Sequence, residues 1–491
     1  MKKLVTILVF FLYVSTLIAC QDATPDPSLD DSLDFLDIYY INDLHGAILP
    51  NQDSIGMAHM ANFLLYQKNQ NPDETLILAG GDILHGSALS NANYGALMIE
   101  MMNVMGFDAF VIGNHEFDWG LDKVTRYFNN SDDHIANFPL LGANVFYKGT
   151  ETIPDGIDPY VIVERNSLRI GIIGTIEYGI ENTIATQHVE DYYFADPGPI
   201  VTDLARYLRT EENVDIIILI SHDRGTVNQQ VIYNEEDSAV DAIFNGHSHQ
   251  VYARYESGVP TIQSGGYGSH VGYLRMNLLE GEILSYSMDN LDRSNEPRFG
   301  IADSEFEMMI ESYFLELDDK YHVELLNPSR DYTRDELTEW LSKLLAVSSN
   351  ADIGFHNGGG TRRNLYKDEP FNLFTVFDIW PFDNEIVTFY LSGSDIKYFI
   401  DTFNWRNYYT DIHDFEDDEL YKVATHDFIY YRDNYAILRT GSDLTKTGVF
   451  LRDLAFDELL LQTDVYTEFR LDNLILLTPN YYNEEQDTEQ P

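Results

Sequence analysis

Short apolar runs rich in Ile and Val recur through the first 300 residues, separated by longer amphipathic stretches. The runs cover residues 38–41, 75–79, 109–112, 169–174, 215–220 and 242–244. Runs this short and continuous suit strands buried on both faces, and many of the intervals leave room for helices. The pattern predicts a layered α/β fold for this part of the chain. Residues 260–268 and 271–289 read as further strand and turn. Residues 305–321 have helical character and lie between Pro297 and Pro328, which predicts a helix joining two domains. Beyond it, residues 334–347 read as a helix set among Gly-rich and aromatic segments. No internal repeat is visible.

A length of 491 residues exceeds one ordinary core and agrees with two domains. Apolar residues at 44% and charged residues at 23% suit a folded chain rather than a disordered one. The excess of 81 Asp and Glu over 30 Lys and Arg, a formal net charge of -51, weighs against nucleic acid or an anionic membrane surface as a partner. Any phosphate site must therefore create its own local positive potential, through metal ions or clustered arginines.

The N-terminus changes the picture of where the chain works. Lys2 and Lys3 precede a short apolar stretch, 4–12, that is too brief for a comfortable membrane span. It leads into Leu17-Ile18-Ala19-Cys20, which resembles the bacterial lipobox, where the cysteine is lipidated after cleavage. Cys20 is the only cysteine, so it has no disulfide partner within the chain. We expect a lipoprotein signal peptide over 1–20, a polar, acidic tether over 21–34, and an extracytoplasmic chain anchored to the cell membrane through lipid on Cys20.

Five polar motifs follow five of the apolar runs. They are Asn42-Asp43-Leu44-His45-Gly46, Gly80-Gly81-Asp82, Gly113-Asn114-His115-Glu116-Phe117-Asp118, Ser221-His222-Asp223 and Gly246-His247-Ser248-His249. In open α/β sheets, ligands bind beyond the carboxyl ends of the strands, so motifs spread over some 200 residues can meet in space. A lone His or Gly-Asp at a strand end is ordinarily a loop residue; the conjunction of five such motifs argues otherwise. Asp43, His45, Asp82, Asn114, His222, His247 and His249 offer imidazole, carboxylate and amide oxygen without thiolate, a donor set for divalent transition metals. Seven donors exceed one tetrahedral site and fit two ions sharing a carboxylate. His85, His270 and Asp223 lie beside these motifs, where loop or supporting roles suit them.

The set resembles the calcineurin-type metallophosphoesterases, and the mature chain resembles the bacterial and animal 5'-nucleotidase family. The resemblance implies a four-layered N-terminal domain over 35–300, a linker helix over 301–325, an α+β substrate domain over 326–479 and an acidic tail over 480–491. It implies one ion on Asp43, His45, Asp82 and His249, and another on Asp82, Asn114, His222 and His247, Asp82 bridging. Zn²⁺ and Mn²⁺ both suit these donors. His115 and Asp118 match the family's catalytic dyad.

In the second domain, Asn357-Gly358-Gly359-Gly360-Thr361-Arg362-Arg363 resembles the family's nucleoside- and phosphate-binding turn, which implies roles for Asn357, Gly359 and Arg362. Trp380-Pro381-Phe382-Asp383-Asn384 resembles the segment whose Phe stacks on the base. The second stacking residue is expected at Tyr435, in Tyr431-Arg432-Asp433-Asn434-Tyr435, where the family's glycines are absent. Arg334 stands one position out of register with another family arginine. The implied reaction is release of phosphate from nucleoside 5'-monophosphates and related nucleotides by a metal-bound hydroxide. A 2',3'-cyclic nucleotide phosphodiesterase/3'-nucleotidase, a nucleotide-sugar hydrolase such as one for UDP-sugars, and a nucleotide-binding surface lipoprotein are the other readings.

Overall fold

A computed structural model describes residues 34–475, apart from 130, 133, 235–236, 318–320, 322, 368 and 370. The expected signal peptide, Cys20, most of the tether and the acidic tail lie outside the described residues.

The apolar runs form strands that build two six-stranded sheets. In the first, Asp34–Ile41 pairs in parallel with Thr75–Ala79, followed by Ala109–Val111 and Leu140–Leu141. Val271–Leu279 and Glu282–Leu291 extend the other side in antiparallel register. In the second, Leu168–Ile176, Ile216–His222, Ala242–Asn245 and Val259–Ser264 are parallel, with antiparallel strands at both edges. The inner faces meet in a dry layer that includes Ile38, Tyr40, Leu78, Val111, Ile172, Ile218 and Phe244. The outer face of the first sheet is covered by the helices Met57–Gln70 and Ala96–Met105, that of the second by Pro197–Thr210. The strands carry apolar residues on both faces because each sheet is buried twice. This is the expected four-layered sandwich.

The helix expected over 305–321 runs over Ser304–Leu315, with the Asp303 carboxylate accepting from the Glu305 and Phe306 amides at its N-terminus. It packs on the outer helices of the first sheet through Phe306, Met309, Ile310 and Tyr313, so it belongs to the N-terminal core as much as to a connection. The second domain opens with Arg334–Ser348, whose start is fixed by a capping box of Thr333 and Glu336. Its five-stranded sheet has the order Tyr408–Tyr409, Ile353–Phe355, Leu420–His426, Glu385–Ser392, Ser442–Phe450. The strands Ile353–Phe355 and Leu420–His426 are parallel, and both end facing the N-terminal domain.

Candidate active site

All five motifs leave the carboxyl ends of strands on the same side of the sandwich, and their side chains converge. His45 Nε2 lies 3.0 Å from His249 Nε2, which lies 3.3 Å from Asp43 Oδ1. His222 Nε2 lies 3.1 Å from Asp82 Oδ2 and 3.2 Å from Asn114 Oδ1. Donor atoms of Asp43, His45 and His249 fall within 4.8 Å of one another, as do those of Asp82, His222 and His247. Asp82 also groups with His45 and His115, so its carboxylate stands between the two clusters.

The backbone is bent to achieve this. Asp43, His45, Asp82, His247 and His249 all have φ between 49° and 66°. This left-handed region is unfavourable for residues with a Cβ and costs on the order of 1–3 kcal/mol each. Five such residues at the ends of three strands show that the fold sacrifices local ease to aim these side chains at one point. Gly81 and Gly113 let the strand ends approach: a Cβ at Gly81 would strike the His222 ring, and one at Gly113 the Asp82 carboxylate.

Electrostatics agree with a cation centre. Asp43 and Asp82 are 0% and 1% exposed, and ring nitrogens of His249 and His222 lie 3.3 and 3.1 Å from their oxygens. Burial holds His45 well below its usual pKa and His247 down at about 3, so both present the neutral form that coordinates metal. Burial acts on His222 too, but the Asp82 and Asp43 carboxylates outweigh it and raise the ring to about 10. That ring competes for a proton where a metal ion would serve the same carboxylates. His222 Nδ1 meets the Gly80 carbonyl at 2.8 Å, which orients the other nitrogen toward Asp82. The donor chemistry therefore fits divalent ions.

His115 Nδ1 and Asp118 Oδ2 are 2.6 Å apart, the tight pairing expected of a dyad. Burial lowers the His115 pKa less than Asp82 and Asp118 raise it, and the net shift is upward. His85 Nδ1 lies 3.3 Å from the same Asp118 oxygen, and its ring is parallel to that of His115, so it supports the dyad from behind. Asp223 caps the turn at Thr226, while His270 contacts Ser269.

A cleft of about 480 Å³ joins this centre to the second domain. Asp82, Asn114, His115, His247 and His249 line one side; Asn357, Gly359, Arg362 and Phe382 line the other. Arg362 Nη2 reaches to 3.3 Å from His45 Nε2, and its Nε donates to Tyr267 Oη at 2.8 Å. Asn357 Oδ1 has no hydrogen-bond partner among the described residues. The arginine and the candidate metal donors thus share one space.

The Calcineurin-like phosphoesterase family matches residues 36–251, and the 5'-nucleotidase C-terminal domain matches residues 321–411. The chain thus matches a calcineurin-like phosphoesterase domain followed by a 5'-nucleotidase C-terminal domain. It is 25% identical to Endonuclease YhcR of Bacillus subtilis (strain 168) over 395 residues, covering 74% of this chain and 32% of that protein. It is 24% identical to a 5'-nucleotidase of Vibrio cholerae over 447 residues, 78% of each. The structure of a 5'-nucleotidase precursor from Thermus thermophilus matches with a TM-score of 0.73 at 19% identity, covering 87% of this chain and 97% of that one. This likeness shows the shared fold. The chain spans only 28% to 34% of the length of the first four curated relatives.

The structure departs from the sequence expectation at the second aromatic. Tyr435 does not line the cleft; it packs edge-on against Phe399, Phe403 and Trp405 in the core of the second domain. The short helix Asp427–Tyr431 instead brings Phe428 to the cleft, with Arg432 beside it. Without the glycines, this stretch becomes helix followed by 3-10 turn, which turns Tyr435 toward the domain core, where it is half-buried. Arg334 does line the cleft, despite its register, and donates to the Gly358 carbonyl at 3.0 Å. Arg363 turns away to Glu369 and Asp378. Glu116 is a further residue that the motif contained but its chemistry did not announce. Fully buried, its carboxylate accepts from the amides of Asp82 and Gly113, both at 2.8 Å, and of Ile83 and Leu84 at 2.9 and 3.2 Å. It ties two of the ligand-bearing loops together.

Proposed function

We propose that the enzyme releases phosphate from nucleoside 5'-monophosphates and related nucleotides at two divalent ions bridged by Asp82. The observation that carries this reading is the single cleft, in which metal donors, arginines and two aromatic rings face one another. Relatives named 5'-nucleotidase and Trifunctional nucleotide phosphoesterase protein support the substrate class. Zn²⁺ or Mn²⁺ held by Asp43, His45, Asp82, Asn114, His222, His247 and His249 would polarise the phosphoryl group and acidify water. The protein's own part is positioning. Arg362 places a guanidinium beside His45, where it neutralises developing phosphoryl charge. The His115 ring, aligned by Asp118, donates a proton or hydrogen bond to the transferring group. Asn357, Gly359, Phe382 and Phe428 hold the nucleoside.

Hydrolysis of AMP, UMP, cyclic nucleotides, UDP-glucose and the nucleoside-free p-nitrophenyl phosphate, with added Mn²⁺, tests the proposal; activity confined to p-nitrophenyl phosphate would overturn it. A second cavity of about 670 Å³ favours keeping diesters among the candidates. It lies across Arg362 and Phe382 from the first and shares His45, His115 and Tyr267 with it or with the metal centre. A diester could place one organic arm in each cavity.

Phe382→Ala and Phe428→Ala should raise KM for AMP roughly 5- to 150-fold, the worth of one base-stacking contact. Both should leave p-nitrophenyl phosphate nearly unchanged. We further propose that the enzyme is exported and lipid-anchored. Cys20→Ser should then move it from the membrane to the soluble fraction with its specific activity intact. Retention in the membrane fraction would point to another attachment.

A further inference from the structure

The segment carrying Phe382 is held from behind by a side chain outside every motif. Arg452, in the first turn of the helix Leu451–Thr463, is only 6% exposed. Its Nη1 donates to the Pro381 carbonyl at 2.7 Å, and its Nη2 pairs with the Asp383 carboxylate. The guanidinium also lies 3.7 Å over the centre of the Phe377 ring. The residues on either side of Phe382 are thus fastened to one buried cation. The Pro381 carbonyl accepts a second hydrogen bond, at 3.2 Å, from Asn91 Nδ2 of the N-terminal domain. Phe382 itself lies 5.5 Å from both the His115 and the His85 ring, at interplanar angles of 29° and 20°.

This segment links the helix Leu373–Ile379 to the strand Glu385–Ser392 and has no regular structure of its own. A ring on such a segment would lose its orientation unless side chains fixed the backbone. Burying a guanidinium is costly unless each of its faces and edges is used. Arg452 uses Nη1 on a carbonyl, Nη2 on a carboxylate and its face on an aromatic ring, and only its Nε has no partner among the described residues. An ammonium group cannot reproduce that planar fork.

We propose that Arg452 is a positioning residue for nucleotide selectivity: it orients Phe382 for stacking on the base and touches neither substrate nor metal. The proposal rests on Phe382 being a base-stacking residue. A double-mutant cycle of Arg452→Lys and Phe382→Ala, assayed on AMP and on p-nitrophenyl phosphate, tests it. Arg452→Lys should raise KM for AMP about 5- to 20-fold, within the range of one stacking contact, with kcat little changed. The kcat/KM for AMP relative to p-nitrophenyl phosphate should fall by the same factor, and this ratio is independent of the folded fraction. In the Phe382→Ala background the effect should shrink to less than about twofold. Equal loss on both substrates, or an undiminished effect in that background, would overturn the proposal. If Phe382→Ala raises KM for AMP while Arg452→Lys does not, the positioning role alone falls. If Phe382→Ala leaves AMP untouched, the stacking reading falls first. Should Arg452→Lys not fold by circular dichroism, Arg452→Gln, which keeps a donor for the Pro381 carbonyl, takes its place. Failure of both to fold would make Arg452 a residue of the fold alone and overturn the proposal.

Discussion

Asp82→Ala should strip metal from both halves of the centre and lower kcat/KM by more than about 10⁴-fold, because both water activation and the charge clamp depend on the ions. The expectation comes from the position of one side chain. The Asp82 carboxylate stands with His45 and His115 on one side and with His222 and His247 on the other. Its backbone, at φ 54°, is secured by the amide hydrogen bond to Glu116, so the side chain is delivered to a fixed point. His222→Ala or His247→Ala removes a donor from one cluster only, and should weaken one ion while sparing the other. Metal analysis of the purified variants separates the cases. Two tightly bound ions per chain in Asp82→Ala would rule out the bridging role, whatever the activity.

The contrast between the whole molecule and its cleft bears on how an anion reaches this centre. A net charge of -51 repels phosphate at long range. Screening confines that field to about 8 Å at physiological ionic strength. Within the cleft, Arg334, Arg362 and Arg432 face Asp82, Asp118, Asp383 and Asp427, and bound divalent ions would tip the balance to positive. Binding therefore depends on the local charges far more than on the total.

The metal-bearing half was legible because its information is local. Each strand is a continuous apolar run, and each donor follows it within a few residues, so a sheet with parallel strands brings the donors to one edge. Tyr435 was misplaced for the opposite reason. Whether Phe428 or Tyr435 faces the cleft depends on how the chain after Leu420–His426 turns, and replacing glycines by Tyr431, Arg432 and Asn434 turned a loop into helix. Arg334 was hard to assign because helix phase and capping, not its distance from a motif, set its direction. Glu116 and Arg452 act by holding backbone. Their partners lie 32 to 34 residues away for Asp82 to Leu84, and 69 to 71 for Asp383 and Pro381, with no pattern in the intervening sequence.

His115→Ala should lower kcat by roughly 10²–10⁴-fold while both ions stay bound. Three observations separate this residue from the metal donors. Its Nδ1 is committed to Asp118 at 2.6 Å, which holds the ring in a dyad and leaves only Nε2, 3.9 Å from Asp82, toward the centre. Its contribution to the metal site is instead the backbone amide, which donates to Asp82 Oδ1 at 2.8 Å and survives substitution by alanine. Its ring lies on the wall of the cleft, under Phe382, where a transferring phosphoryl group would pass. Asp118→Asn should cost less than His115→Ala, since the ring remains and only its orientation and charge balance change. KM should move little in either variant, because an interaction made in the transition state leaves ground-state binding alone. Metal content that falls in step with kcat would show that His115 is a ligand, and the assignment of the dyad would have to be abandoned.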